Sequence, residues 1–243
     1  MQVLSARVFE PYHTSHWVVL ALFAIGAVAL VSLGRRRGHT AAARRFTHVF
    51  GAVILAILIG ELVYYLLPAH WTLGHSLPLQ LSDLAGLSAA YALFSMRQWA
   101  YSLTYYWGLT LSPQALLTPV LYGPDFPNWQ FVLFWAWHFV VVWAAIYLTW
   151  GLGMRPTWRS YRLVVTVTVC WAAFLLVFNH LAGTNYGYLN AKPAIGTVLN
   201  VLGPWPWYLI PEAILVFGIW ALITWPWERA TRRRVPDLRV ADQ

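Results

Sequence analysis

This sequence predicts an all-α bundle of seven membrane-spanning helices, on three observations. Hydrophobic residues make up 60% of the chain and charged residues only 10%, where a soluble domain carries about 25% charged. The apolar residues gather in runs near the roughly 20 residues of helix that cross a hydrocarbon core. The basic residues fall almost entirely on alternate loops. A mean hydropathy of +0.57 and 16 tryptophans argue against a water-soluble enzyme and against disorder, which needs low hydrophobicity.

The expected spans are residues 17–33, 46–67, 78–95, 99–117, 129–150, 162–182 and 206–227. They form a single transmembrane domain over 1–243, with 228–243 as a basic tail. The region before the first span lacks the basic segment of a cleaved signal peptide, so that span should stay as an anchor. An odd number of spans puts the termini on opposite sides. Arg35, Arg36, Arg37, Arg44 and Arg45 separate spans one and two, Arg97 separates three and four, and Arg155, Arg159 and Arg162 separate five and six. Arg229, Arg232, Arg233, Arg234 and Arg239 follow span seven. Of the 16 basic residues only Arg7 and Lys192 fall on the other side. Cytoplasmic loops are the arginine-rich ones, so the N-terminus is expected outside and the C-terminus in the cytoplasm of a plasma-membrane protein. The same distribution reads the basic tail as a topology signal touching anionic lipid, not a nucleic-acid site.

Span seven is framed by Trp205-Pro206-Trp207 and Trp225-Pro226-Trp227. The two prolines are about 30 Å of helix apart, close to the hydrocarbon thickness, and tryptophan prefers both interfaces. The external loops 118–128 and 183–204 are long and rich in Pro, Gly, Asn and Tyr, a composition expected of ordered and functional loops. Cys170 is the one cysteine, so no intrachain disulfide forms.

Ionisable groups inside spans are costly and mark function or buried pairing. Here they are Glu61, Asp83, His138, His180 and Glu212, with Gln80, Ser82, Gln114 and Asn179 nearby. At the helical rise per residue, all five lie within about 13 Å of the outer ends of their spans. That predicts a polar cavity open to the outside above a dry inner half, which favours an enzyme or ligand-binding protein over a channel. Ser82 and Asp83 share an arc of span three. Ser82 as nucleophile, His138 as base and Asp83 as its orienting partner would make a triad-like set. The plainer reading is that Asp83 bonds a neighbouring span and His138 is a satisfied core residue.

Glu61, Asp83, His138 and His180 are metal-ligand types, but no tight spacing supports a metal site, and no cofactor is expected. His13, His16, His70 and His75 flank spans on the outside and read as interfacial polar residues. Tyr101, Tyr105, Tyr106 and Trp107 read as packing.

The stretch Leu77-Pro78-Leu79-Gln80-Leu81-Ser82-Asp83-Leu84 resembles a signature of the YwaF-like family of bacterial integral membrane proteins. So do Phe134-Trp135-Ala136-Trp137-His138, Asn185-Tyr186-Gly187-Tyr188-Leu189 with Lys192-Pro193, and Leu202-Gly203-Pro204-Trp205-Pro206-Trp207-Tyr208. The resemblance runs in order over spans two to seven. Its eukaryotic relatives look like transmembrane acyltransferases acting on phospholipids through a cysteine and a histidine. The resemblance implies that His138 is that histidine. Ser82 stands where the cysteine is expected and Gln80 where a preceding histidine is. A hydroxyl is far less acidic than a thiol, so the thioester form of the mechanism does not transfer directly.

The function expected from the sequence is binding of a lipid or amphipathic ligand in an outward cavity, with acyl transfer or acyl hydrolysis as its chemistry. Gln80, Glu61, His180, Asn185, Tyr188, Lys192 and Glu212 would bind the ligand, and the loop residues among them would hold a phosphate headgroup. The alternative is a non-enzymatic transporter or receptor using the intramembrane carboxylates. Membrane lipids are the expected partners, with no nucleic acid and no protein partner indicated.

Overall fold

The computed structural model describes residues 8–38, 40–119, 121, 123–192 and 201–240, with the backbone alone for 231–240. Arg7, Pro193 and residues 241–243 of the basic tail therefore lie outside the described residues. Among those described, the chain is helical and no strand forms; one isolated bridge joins Val8 to Pro124. The helices are α1 (Thr14–Arg37), α2 (Ala41–Leu66), α3 (Leu81–Ser95), α4 (Gln98–Thr110), α5 (Ser112–Leu117), α6 (Trp129–Ile146), α7 (Trp158–Ala182) and α8 (Leu209–Val240). A π-helical turn, Tyr147–Gly151, continues α6, and a 3-10 turn spans Tyr186–Tyr188.

Five segments are long and apolar enough to cross a membrane: Thr14–Arg37, Ala41–Leu66, Trp129–Gly151, Trp158–Ala182 and Leu209–Ala230. The expected third and fourth spans are helical but shorter than drawn. α3 has 15 residues and α4 has 13, which rise about 22 and 20 Å against a hydrocarbon thickness of about 30 Å. Met96 takes φ 52° after α3, a left-handed conformation that helices do not propagate through. Pro113 opens α5, lacking the N–H that would extend α4.

Local chemistry sets several ends. The Asn128 side chain accepts from Gln130 N–H to start α6, and the Thr157 hydroxyl accepts from Ser160 N–H to start α7. α7 stops where Gly183 takes φ 65° and its N–H returns to the Asn179 carbonyl. The basic Arg35, Arg36 and Arg37 close the last turn of α1, where a cation favours the helix dipole. α8 does not stop at Trp225-Pro226-Trp227 but runs on to Val240.

The chain divides into two compact units, residues 1–59 with 85–154, and 60–84 with 155–243. In the first unit, α4 is buried without interruption from Ala100 to Gly108. Tyr101, Tyr105, Tyr106 and Trp107 all lie inside, as packing residues should. α6 packs on α1, α4 and α5. Phe9, Val19, Leu116, Phe131, Trp135, Phe139 and Val142 form one apolar cluster there. Several buried hydroxyls there pair with one another or with backbone carbonyls. Tyr101 Oη meets Thr149 Oγ1 at 3.1 Å and the Met154 carbonyl at 3.1 Å, and Tyr147 Oη meets Thr47 Oγ1 at 3.0 Å.

α1 touches the π turn backbone to backbone. A methyl group on Gly34 would lie 2.5 Å from Gly151 Cα and 2.9 Å from its carbonyl oxygen. Neither partner has a side chain to move aside. Gly34→Ala is therefore expected to cost at least about 1–3 kcal/mol, the range for overpacking. Its thermal midpoint in detergent should fall well below that of the wild type; an unchanged midpoint would show that α1 does not pack there.

The N-terminal segment is clasped to the loop after α5. Phe9 N–H donates to the Gly123 carbonyl at 3.0 Å, and Tyr12 Oη donates to the Leu117 carbonyl at 2.6 Å. His16 is fully buried, which corrects its expected interfacial place. Its Nδ1 accepts from Tyr12 N–H at 2.9 Å, so Nε2 carries the proton donated to the Leu116 carbonyl at 2.8 Å.

In the second unit, α7 packs on α8 and on the 3-10 turn. Leu175, Tyr186 and Leu189 form its buried centre, with Leu77, Leu79, Trp171 and Leu209 against them.

Candidate functional site

The loop cluster of the second unit is organised by one side chain. Asn179, on the last turns of α7, uses its full amide capacity. Its Oδ1 accepts from Tyr186 N–H at 2.9 Å and from the Thr184 hydroxyl at 2.8 Å. Its Nδ2 donates to the Tyr186 carbonyl at 2.9 Å and to Asn190 Oδ1 at 3.1 Å. Tyr186 is thereby fixed with its ring buried. Its hydroxyl donates to the Leu73 carbonyl at 2.8 Å and accepts from Leu77 N–H at 3.0 Å. Burial pushes the pKa of this phenol up; the Leu77 N–H opposes the rise and the Asp83 carboxylate adds to it. Tyr186 thus remains a donor that ties the loop 67–80 to the loop 183–192.

Gln80, Ser82 and Asp83 stand at the start of α3, beside that knot. The Gln80 side-chain oxygen accepts from Gly187 N–H at 3.0 Å, and Trp171 Nε1 donates to the Leu79 carbonyl at 3.0 Å. Asp83, third residue of the helix, turns its Oδ2 back to Gln80 N–H at 2.9 Å, half of a capping box. The Ser82 hydroxyl is exposed and makes no hydrogen bond among the described residues. Glu61 and Asp83 are half-buried and within electrostatic reach of one another, and Tyr65 is within reach of both.

The remaining loop residues serve the same scaffold. Asn185 Oδ1 accepts from Asn190 N–H at 3.1 Å and Ala191 N–H at 3.0 Å, and its Nδ2 donates to the Ala191 carbonyl at 2.8 Å. The Tyr188 carbonyl accepts from Tyr208 Oη, and Trp205 Nε1 donates to the Leu189 carbonyl at 2.9 Å. The Tyr188 ring is exposed. Lys192 Nζ lies 5.4 Å over the Tyr208 ring, a cation–π distance. Glu212 is half-buried on the first turn of α8, within electrostatic reach of Tyr208. His180 is exposed near the end of α7.

His138 belongs to the first unit, on α6. Its Nδ1 lies 2.7 Å from the Phe134 carbonyl oxygen. A carbonyl can only accept, so Nδ1 carries the proton of the neutral ring and Nε2 carries the lone pair. Nε2 has no hydrogen-bond partner among the described residues. The same unit holds a polar pocket of about 340 Å³ lined by Val8, Glu10, His13, Thr14, Ser15 and Asp125. None of the residues expected to line a cavity is among them. No group of three or more His, Cys, Asp or Glu residues able to hold a metal occurs among the described residues.

The family model for the TMEM164 family matches residues 11–224. The chain belongs to the TMEM164 family. No curated protein and no solved structure matches it. As a member of this transmembrane family, with its several long apolar helices, the chain is a multi-pass membrane protein.

The structure brings Gln80, Asp83 and the 185–191 loop of this TMEM164 chain together in its second unit. From the sequence, Tyr186 stood out only within the stretch 185–189, Trp171 not at all, and Asn179 only in a supporting place, though Tyr186 and Trp171 pin that cluster. An asparagine in an apolar helix, one turn before the glycine that ends it, was the available signal.

Proposed function

We propose that this TMEM164-family protein binds a phospholipid from the outer side of the plasma membrane and transfers or hydrolyses one of its acyl groups. The observation that carries the reading is His138, whose Nδ1 proton is held by the Phe134 carbonyl while its Nε2 lone pair is left unengaged. That is how a general base is held ready to take a proton.

Ser82 Oγ attacks the ester carbonyl carbon and gives its proton to a base, the role that the resemblance assigns to His138. The C–O bond to the glycerol oxygen breaks, the leaving oxygen takes that proton back, and a lysophospholipid departs. The acyl group remains on Ser82 as an ester. Water or a lipid hydroxyl then attacks it, with its proton passing through the same imidazole to Ser82 Oγ. Asp83 is the carboxylate assigned to stabilise the imidazolium in each half. Ser82 and Asp83 belong to one unit and His138 to the other, so the pairing rests on their chemistry. An exposed, unengaged Ser82 hydroxyl is consistent with the nucleophile's role.

The wider reading is a single domain of seven spans with the N-terminus outside, a relation to the YwaF-like proteins and their acyltransferase relatives, and an outward cavity. Gln80, Asn185, Tyr188 and Lys192 would border its headgroup end, and Glu61, His180 and Glu212 its wall. No cofactor, nucleic acid or protein partner is invoked. A transport reading draws on the proximity of Glu61 and Asp83. The two part on mutation: Ser82→Ala stops acyl release and spares transport, whereas Glu61→Gln and Glu212→Gln impair transport more.

The test is lysophospholipid release by the full-length protein in nanodiscs of mixed phospholipid. The wild type should release it and Ser82→Ala should not. Equal release by both, or none by the wild type over hours, contradicts the proposal.

A further inference from the structure

One buried polar atom among the described residues has no partner: Trp135 Nε1 on α6. The side chain is 3% exposed, and an indole N–H so buried normally finds an acceptor. Its surroundings limit what that acceptor can be. Phe9 stands edge-on to the indole at 5.9 Å between ring centroids, and Phe131 at 6.0 Å. Phe139, Val19, Leu116 and Val142 complete the cluster. His16 stacks on the indole at 5.3 Å, but both of its nitrogens are already engaged, with Tyr12 N–H and the Leu116 carbonyl. A buried water typically makes about three hydrogen bonds. An apolar nest with one orphaned donor supplies one. The complement of such a nest is a hydrocarbon carrying a single acceptor oxygen.

Position on the helix adds a second argument. His138 lies three residues after Trp135, and residues three apart are neighbours on one helix surface. The Phe134 ring touches both, at 5.2 Å from Trp135 and 4.5 Å from His138. The one orphaned donor and the one unengaged imidazole nitrogen of α6 therefore sit one turn apart. At the N-terminal clasp, Val8 and Glu10 line the polar pocket while Phe9 packs on Trp135.

We propose that Trp135 Nε1–H binds the carbonyl oxygen of an ester-linked acyl lipid. Its place beside His138 rests on the acyl-transfer reading above; capture of the carbonyl does not. In that reading, the N–H polarises the ester carbonyl and follows its oxygen as charge gathers there.

The experiment compares a diester phosphatidylglycerol with its diether analogue, identical except for the two carbonyl oxygens. Both compete for the full-length protein in detergent, and the bound lipid is counted by native mass spectrometry. The wild type should retain the diester over the diether by about three- to tenfold, the worth of one hydrogen bond. Trp135→Phe should bind as much total lipid with no preference. If that variant does not fold, 3-benzothienylalanine at position 135 replaces the N–H by sulfur at nearly the same ring volume. His138→Ala should keep the preference while losing lysophospholipid release. A wild type without preference overturns the proposal, as does an unchanged preference in the folded variant lacking the N–H. Release that survives in His138→Ala overturns the acyl-transfer reading alone and leaves the carbonyl site standing.

Discussion

On the proposed acyl transfer, His138→Ala is expected to lower lysophospholipid release by about 10²–10⁴-fold, the usual share of a general base, and to leave the protein folded. The side chain makes one hydrogen bond among the described residues, from Nδ1 to the Phe134 carbonyl of its own helix. Its loss leaves that carbonyl bound within the helix ladder, so the structural cost is small. The functional cost is large because the lone pair on Nε2 has no substitute among its neighbours Phe134 and Trp135. His138→Gln separates the roles further. It restores a polar group of similar reach but no base, and release should stay as low as in the alanine variant. Measured in nanodiscs with a thermal midpoint recorded beside each rate, release within twofold of the wild type in either variant contradicts the assignment.

Asn179→Ala is expected to have the largest structural effect in the second unit. Four hydrogen bonds disappear with one side chain. The N–H and carbonyl of Tyr186, a residue with no exposure, are left without partners. Each buried group abandoned in this way costs about 1–3 kcal/mol, so the local loss is about 3–5 kcal/mol. The helices do not depend on these bonds, and the damage should stay in the loop. Amide exchange in residues 184–191 and in 77–80 should rise by at least two orders of magnitude, while α7 up to about residue 175 keeps its protection. Unchanged exchange in the loop would mean that Asn179 does not organise it. Loss of the knot also frees Gln80, whose side chain holds Gly187 N–H, and so loosens the start of α3, where Ser82 stands.

Much of the fold was legible in the sequence because helices in apolar segments follow from local pattern. Helical segments occur at all seven expected positions, and α7 ends at Ala182 as drawn, before the glycine that needs a left-handed turn. Lengths were less legible. A hydropathy window does not register that residues 78–80 stay outside α3 or that the expected fourth span breaks at Leu111, just before Pro113, into α4 and α5. Nor does it anticipate the continuation of α8 past Trp227, where arginine and alanine carry good helix propensity.

The candidate site was readable only in its residue types. The bond from His138 to Phe134 is a one-turn contact, yet it became visible only with the ring's rotamer. Tyr186 owes its place to Leu73 and Leu77, more than a hundred residues earlier in the chain. His16 looked interfacial because its partner, the Leu116 carbonyl, lies 100 residues away. Trp135 stood out only as part of the stretch 134–138, since an unpaired N–H has no signature in sequence. Asp83 showed a further use, closing the start of its own helix.

Covalent acyl chemistry at the proposed nucleophile, Ser82, would change the intact mass of the protein. The purified wild type is incubated with a mixed phospholipid pool and weighed whole, beside Ser82→Ala. A gain equal to one acyl chain is expected in the wild type and none in the variant. No gain in the wild type with lipid composition unchanged over hours, or an equal gain in Ser82→Ala, would contradict it.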